Sequence, residues 1–121
     1  MLEIIYYVNS ASGKSPIRED INNIKKDSIR AKVRIFILYA AENDGKATSI
    51  ITKNIRGCHF SEIRVKFSKN LYRILYFIWQ NNKMVLLHIF IKKENQKTPE
   101  KELREAEKRY NNFIKNTNLY L

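Results

Sequence analysis

A few side chains in this chain have the types and spacing needed to act on a phosphate ester. Arg64, Arg73, Lys92 and Lys93 fall in three successive β-branched and aromatic stretches, together with Glu62, Lys66 and His88; Lys97 follows shortly after. Displacement at a phosphate ester without a metal requires a base for the attacking hydroxyl, positive charge around an in-line phosphorane and an acid for the leaving oxygen. Stabilising the charge that develops can dominate such a rate. Arginine suits that task because its planar fork binds two phosphate oxygens and stays charged.

Each residue also has a plainer role. Arg73 sits inside an apolar run (YRILYFIW), where a charge is costly unless it is paired or faces a cleft. The structural alternative is a salt bridge to Glu62 on the neighbouring strand. Arg64 alternates to the polar side of its strand and could equally be a solvated arginine. Lys66 is an ordinary solvated residue or an RNA-backbone contact. Lys92 and Lys93 end a strand; alternation puts Lys92 on the face of His88, and a solubilising pair is the bland reading. A lysine there could hold phosphate or, with its pKa lowered by cationic neighbours, move a proton. His88, with a reference pKa of about 6.5, could be an acid or base, but its apolar strand favours a hydrogen-bonded core histidine. Glu62 could take the 2′-OH proton, although a salt bridge is the simpler role. Lys97 precedes a helix whose free N–H groups could bind phosphate. Two histidines and one cysteine at these separations form no metal-binding pattern, and no cofactor is implied.

The elements that must position these residues follow from periodicity. Leu2–Val8 reads as a strand. Ser15-Pro16 resembles an N-cap followed by an N1 proline, with Ile17, Ile21 and Ile24 at helical spacing. Asp27 is the expected cap of a second helix with the stripe Ile29, Val33, Phe36, Ile37 and Ala40, stopped near Gly45. Residues 47–55 could be a short helix or a loop. Then come three strands, His59–Phe67, Tyr72–Trp79 and Met84–Lys92, joined by short turns and hence antiparallel. Thr98-Pro99 repeats the cap pattern before a helix with Leu103, Ala106, Tyr110, Phe113 and Ile114 inward, and residues 116–121 read as a frayed tail. The expected fold is one α+β domain over residues 1–121: strand, two helices, three-stranded antiparallel meander, C-terminal helix, with the helices packed on one face of the sheet. Tyr72, Tyr76, Phe77, Trp79 and Phe90 could stack bases if exposed, but are expected mostly in the core.

Charge sharpens the picture. The 121 residues carry a net charge of +11. Residues 1–45 hold seven Lys/Arg against six Asp/Glu, residues 46–97 eleven against two, and residues 98–121 five against four. The excess is therefore concentrated in the strands, which points to an anion-binding face. The single cysteine, Cys58, excludes an internal disulfide and suits a reducing compartment. With no signal-peptide pattern and no membrane-length apolar run, the cytoplasm is the expected location.

Four segments resemble the RelE/HigB toxin superfamily, and its phage Gp49-like branch most closely. They are Glu62-Ile63-Arg64, Leu71-Tyr72-Arg73-Ile74-Leu75-Tyr76, Leu86 through Lys93 (LLHIFIKK), and Gln96-Lys97-Thr98-Pro99 followed by Glu102, Ala106 and Arg109. Ile89 stands where the branch usually has glycine. The resemblance implies a toxin of a type II toxin–antitoxin pair that cleaves mRNA on the ribosome. It puts Arg73 first among the catalytic candidates, with Arg64, Lys92 and Lys93 beside it; Lys93 falls at a phosphate-binding position of the superfamily. Lys66, His88 and Lys97 become RNA-binding candidates. The implied partners are a cognate antitoxin, often of helix-turn-helix type, and mRNA with the ribosome, DNA being reached only through the antitoxin complex. The rival functions are a non-nuclease toxin that binds a protein such as DNA gyrase, and a non-catalytic RNA-binding module.

Overall fold

The computed structural model describes residues 1–45, 52–54, 59–93 and 96–121. The order is β1 (Glu3–Tyr6), α1 (Pro16–Asn22), α2 (Asp27–Glu42), β2 (Thr52–Asn54), β3 (Ser61–Phe67), β4 (Asn70–Trp79), β5 (Lys83–Lys93) and α3 (Glu100–Lys115), closed by a 3₁₀ turn at Thr117–Tyr120. One mixed sheet has the strand order β1-β5-β4-β3-β2. The expected meander is its centre. β1 pairs parallel with β5, and β2 adds an antiparallel edge to β3. That edge falls in the ambiguous stretch 47–55, the rest of which, with Cys58, lies outside the described residues.

Local chemistry explains most boundaries. Ser15 accepts a hydrogen bond from the Arg18 N–H with Pro16 just inside α1. Gly45 adopts φ +75° and its N–H returns to the Ala40 carbonyl, closing α2. Gln80 and Asn81 both have positive φ, as a tight β4–β5 hairpin requires. Two caps differ from expectation. Lys26 is the N-cap of α2, and Asp27 sits inside the first turn bonded to Arg30. Pro99 is the N-cap of α3, so the helix begins one residue later and frees Thr98 to accept from Lys92.

The helices do not share one face, contrary to the sequence expectation. Ile17, Ile21, Val33 and Ile37 of α1 and α2 pack with Ile63, Val65, Ile74, Tyr76, Met84 and Leu86. Ala106 and Phe113 of α3 pack on the reverse face with Ile5, Phe60, Leu75, Phe77, Val85, Leu87 and Phe90. The reason is visible in β4 and β5, whose apolar residues run almost unbroken. A strand apolar on both sides must be covered on both sides. Ile114 turns outward instead, at 43 % exposure. The C-terminal tail is not frayed: the Tyr120 hydroxyl donates to the Val8 carbonyl and accepts from the Val8 N–H, at 3.0 and 2.8 Å. No helix among the described residues is long and apolar enough to cross a membrane.

Candidate nucleic-acid interface

On the α3 side of the sheet, β3, β4 and β5 set the candidate residues in three rows. Glu62, Leu75 and His88 form one, Arg64, Arg73 and Phe90 the next, and Lys66, Leu71 and Lys92 the third. Neighbours within a row sit on adjacent strands about 4.8 Å apart. Arg64 and Arg73 are thus direct cross-strand partners, a like-charge pairing that costs energy unless an anion balances it.

A β-bulge decides which terminal lysine joins these rows. Leu75 pairs with His88 but Tyr76 pairs with Leu86, so Leu87 is the extra residue. Val85 and Leu87 face α3, and plain alternation from them would carry Lys93 to that face. The bulge shifts the parity, so that His88, Phe90 and Lys92 share the face instead. Lys92 is buried and its Nζ donates to Thr98 Oγ1 at 3.1 Å, while Lys93 is exposed. Ile89 points to the opposite face, into the α1–α2 core.

Arg73 is 5 % exposed and Glu62 2 %. Arg73 Nη1 donates to Glu62 Oε1, the pairing weighed above as the structural alternative. Burial pulls the Arg73 pKa below its usual value, and the Glu62 carboxylate opposes that shift. The cluster is not saturated: Glu62 Oε2, Arg64 Nε and Arg73 Nε are buried and have no hydrogen-bond partner. Two buried guanidinium N–H groups beside one carboxylate, which pairs with Arg73 and leaves its own Oε2 unmet, leave net positive charge and open donors, which suit an oxyanion.

His88 is held differently. Its Nε2 lies 3.1 Å from Glu102 Oε1 and its Nδ1 3.1 Å from Arg109 Nη1. Because Arg109 can only donate, Nδ1 accepts and Nε2–H donates to Glu102, which makes the ring neutral. Burial, the largest influence, lowers its pKa, and the Glu102 hydrogen bond opposes it. Arg109 also donates to the Leu87 carbonyl at 2.8 Å and to Glu105 at 3.0 Å. Both ring nitrogens are therefore committed to anchoring α3. Arg109 entered the sequence reading only as a motif match; its basic character four residues after Glu105 was the available signal.

Lys66 and Lys97 are exposed, Lys66 at the foot of the rows and Lys97 three residues ahead of α3. Glu100 and Glu102 occupy the first turn of that helix and compete with any anion there. Tyr76, Phe77 and Phe90 are buried, whereas Tyr72 and Trp79 are half-buried. His59 is exposed and stacks on Tyr110, centroids 5.4 Å apart. No group of three or more metal-ligating side chains occurs among the described residues.

No curated protein matches the chain. Residues 19–111 match the model of the phage-derived protein Gp49-like (DUF891) family, a span that contains α2, the whole meander and most of α3. With three quarters of its length covered, and with the basic rows inside that span, the chain belongs to the Gp49-like family, a RelE/HigB-like toxin branch.

Proposed function

We propose that this protein is the toxin of a type II toxin–antitoxin pair and cleaves mRNA on the ribosome with basic side chains in place of a metal. The observation that carries the reading is the Arg64–Arg73 pair, with two buried, unpartnered Nε–H groups, one row from Lys66 and Lys92 on the α3 side of the sheet. Their guanidinium groups would bind the non-bridging oxygens as the 2′-oxygen attacks and charge builds on the phosphorane, which collapses to a 2′,3′-cyclic phosphate as the P–O5′ bond breaks and the 5′-oxygen takes a proton from a neighbouring lysine or from water. Lys92, one row further, would hold the same phosphate or its neighbour. Lys93, Lys66 and Lys97 would track the RNA backbone. Glu62 would orient Arg73 and stands close enough to the arginines to receive the 2′-OH proton once the pair opens. His88, committed to Glu102 and Arg109, would contribute by fixing α3 against this face, and would reach RNA only if α3 moved.

A second reading rests on the Arg73–Glu62 pair itself. A guanidinium that is buried and already neutralised would serve stability, leaving a basic scaffold that binds RNA without cutting it. In either case the proposed partner is a cognate antitoxin, of helix-turn-helix type, through which DNA would be reached, and the proposed compartment is the cytoplasm.

The test follows full-length mRNA on translating ribosomes, with cuts mapped by primer extension. Wild type is compared with Arg64→Ala and Arg73→Ala, each checked for folding by circular dichroism. In-frame cuts lost in both folded variants are the expected result. Salt-sensitive RNA binding without cuts would favour the scaffold reading, and binding to gyrase with no RNA effect would remove both.

A further inference from the structure

His59 and Phe60, just ahead of β3, belong to an aromatic column that the basic rows do not use. The His59 imidazole lies flat on the Tyr110 ring, with centroids 5.4 Å apart and planes 8° from parallel. Tyr110 packs edge-on against Phe60 and Phe77, at 5.8 and 4.8 Å, and Phe77 against Phe113 at 5.4 Å. Phe60, Phe77 and Phe113 are buried, Tyr110 is half-buried and His59 is exposed. The column therefore rises out of the core, and its last ring stands in solvent. A ring held in place this way loses little freedom when another ring stacks on it.

Its place on the sheet joins it to the candidate interface. Phe60 packs on the α3 side, the side of Glu62, Arg64 and Lys66 on the same strand. Four residues of extended chain, roughly 14 Å, separate Phe60 from Arg64. A single strand with a phosphate at Arg64 and Arg73 reaches the column within a few nucleotides. The side chains around the column do not suit phosphate. Glu107 stands exposed one turn before Tyr110 on α3, and Glu62 is committed to Arg73. One turn after Tyr110, Ile114 adds an aliphatic surface that is 43 % exposed. Carboxylates repel a phosphate, whereas a flat ring beside an aliphatic side chain accepts the neutral face of a base.

We infer that the exposed face of His59 is a stacking platform for an unpaired nucleobase of the RNA strand whose backbone lies on the basic rows. The inference rests on the RNA-binding part of the proposed function and not on cleavage. Stacking tolerates any base, because each has a π-face. The platform thus adds affinity and fixes where the strand lies without reading its sequence. A purely structural stack, tying the start of β3 to α3, would show the same ring contact but would not make binding depend on the bases.

The test measures binding of the full chain to a single-stranded 2′-O-methyl RNA of about ten nucleotides, whose blocked 2′-oxygens prevent cleavage, and to the same backbone made abasic throughout. Wild type is compared with His59→Ala, His59→Phe and Lys93→Gln across a range of salt, each checked for folding by circular dichroism. His59→Ala should weaken the base-bearing strand by about tenfold while leaving the abasic strand and the slope of log K against log[salt] unchanged. His59→Phe should recover most of that loss. Lys93→Gln, at a backbone contact, should instead weaken both strands and lower the slope. Equal weakening of both strands by His59→Ala, wild-type affinity in His59→Ala, or no recovery in His59→Phe would overturn the platform and leave RNA binding standing. So would a wild type that binds the two strands equally well. A wild type that binds neither strand would remove the RNA reading and the platform with it.

Discussion

Single residues differ sharply in what they cost and what they offer. Glu62 and Arg73 form an ion pair with side chains 3 % and 7 % exposed. Removing one partner of such a pair strands a buried charge, a loss of about 3–5 kcal/mol. Glu62→Gln should therefore lower the urea midpoint strongly, and the double change Glu62→Leu with Arg73→Met should restore much of it. A midpoint unmoved by Glu62→Gln would mean the pair is open in solution. His88 makes a pH-dependent contribution. Its pKa is lowered in the folded protein, so the unfolded chain takes up a proton at about pH 6.5 that the native ring refuses. Stability contributed by the neutral ring is thus present above about pH 6.5 and is lost as pH falls from there toward the lower folded value. Burial sets the downward shift; of the groups facing the ring, Arg109 adds to it and Glu102 and Glu105 oppose it. His88→Gln should flatten the decline in melting temperature between pH 7 and pH 5; an unchanged slope would assign the decline to other groups.

At the scale of elements, α3 is the piece that defines the candidate face, and it is fastened at its middle and beyond its C-terminal end. Arg109 ties its middle to the Leu87 carbonyl at the bulge and to His88. Past its end, Tyr120 satisfies both backbone groups of Val8 and packs on Phe113 at 4.3 Å between centroids. Tyr120→Phe keeps the ring and removes the hydroxyl, which should cost about 1–2 kcal/mol. Hydrogen exchange should then quicken at Val8 and along the last turn of α3, while β3 and β4 keep their protection. Faster exchange throughout the sheet would show instead that the tail supports the whole core. The bulge in β5 matters in the same way, since removing one residue there would exchange Lys92 for Lys93 on the basic face.

For the molecule as a whole, the governing quantity is where the charge sits. The excess lies in residues 46–97, the stretch that contains β2 to β5, between nearly neutral segments. RNA binding should therefore weaken steeply with salt, as counterion release demands. Lys66→Gln and Lys93→Gln should each reduce the slope of log K against log[salt] by roughly one. Lys108→Gln, on α3 away from the strands, should leave that slope unchanged, and an equal reduction there would mean the protein binds through diffuse charge.

Periodicity was sufficient to assign the central strands and all three helices, because a half-buried strand and an amphipathic helix write their burial directly into residue order. The Glu62–Arg73 pairing was also legible, as a charge in an apolar strand needs a partner nearby. Family membership came from motif order and from no single residue. Three things waited for the tertiary structure. The helices divide between the two faces because β4 and β5 are apolar on both sides, and sequence alone does not say which helix covers which. Lys92 rather than Lys93 joins the basic rows because one unpaired residue, Leu87, shifts the alternation, a register choice made by both strands together. The exposure of Ile35, Leu38 and Tyr39 on the outer face of α2 could be recognised only once its other face was seen to be buried, for burial depends on what the rest of the chain packs against and not on the residues themselves.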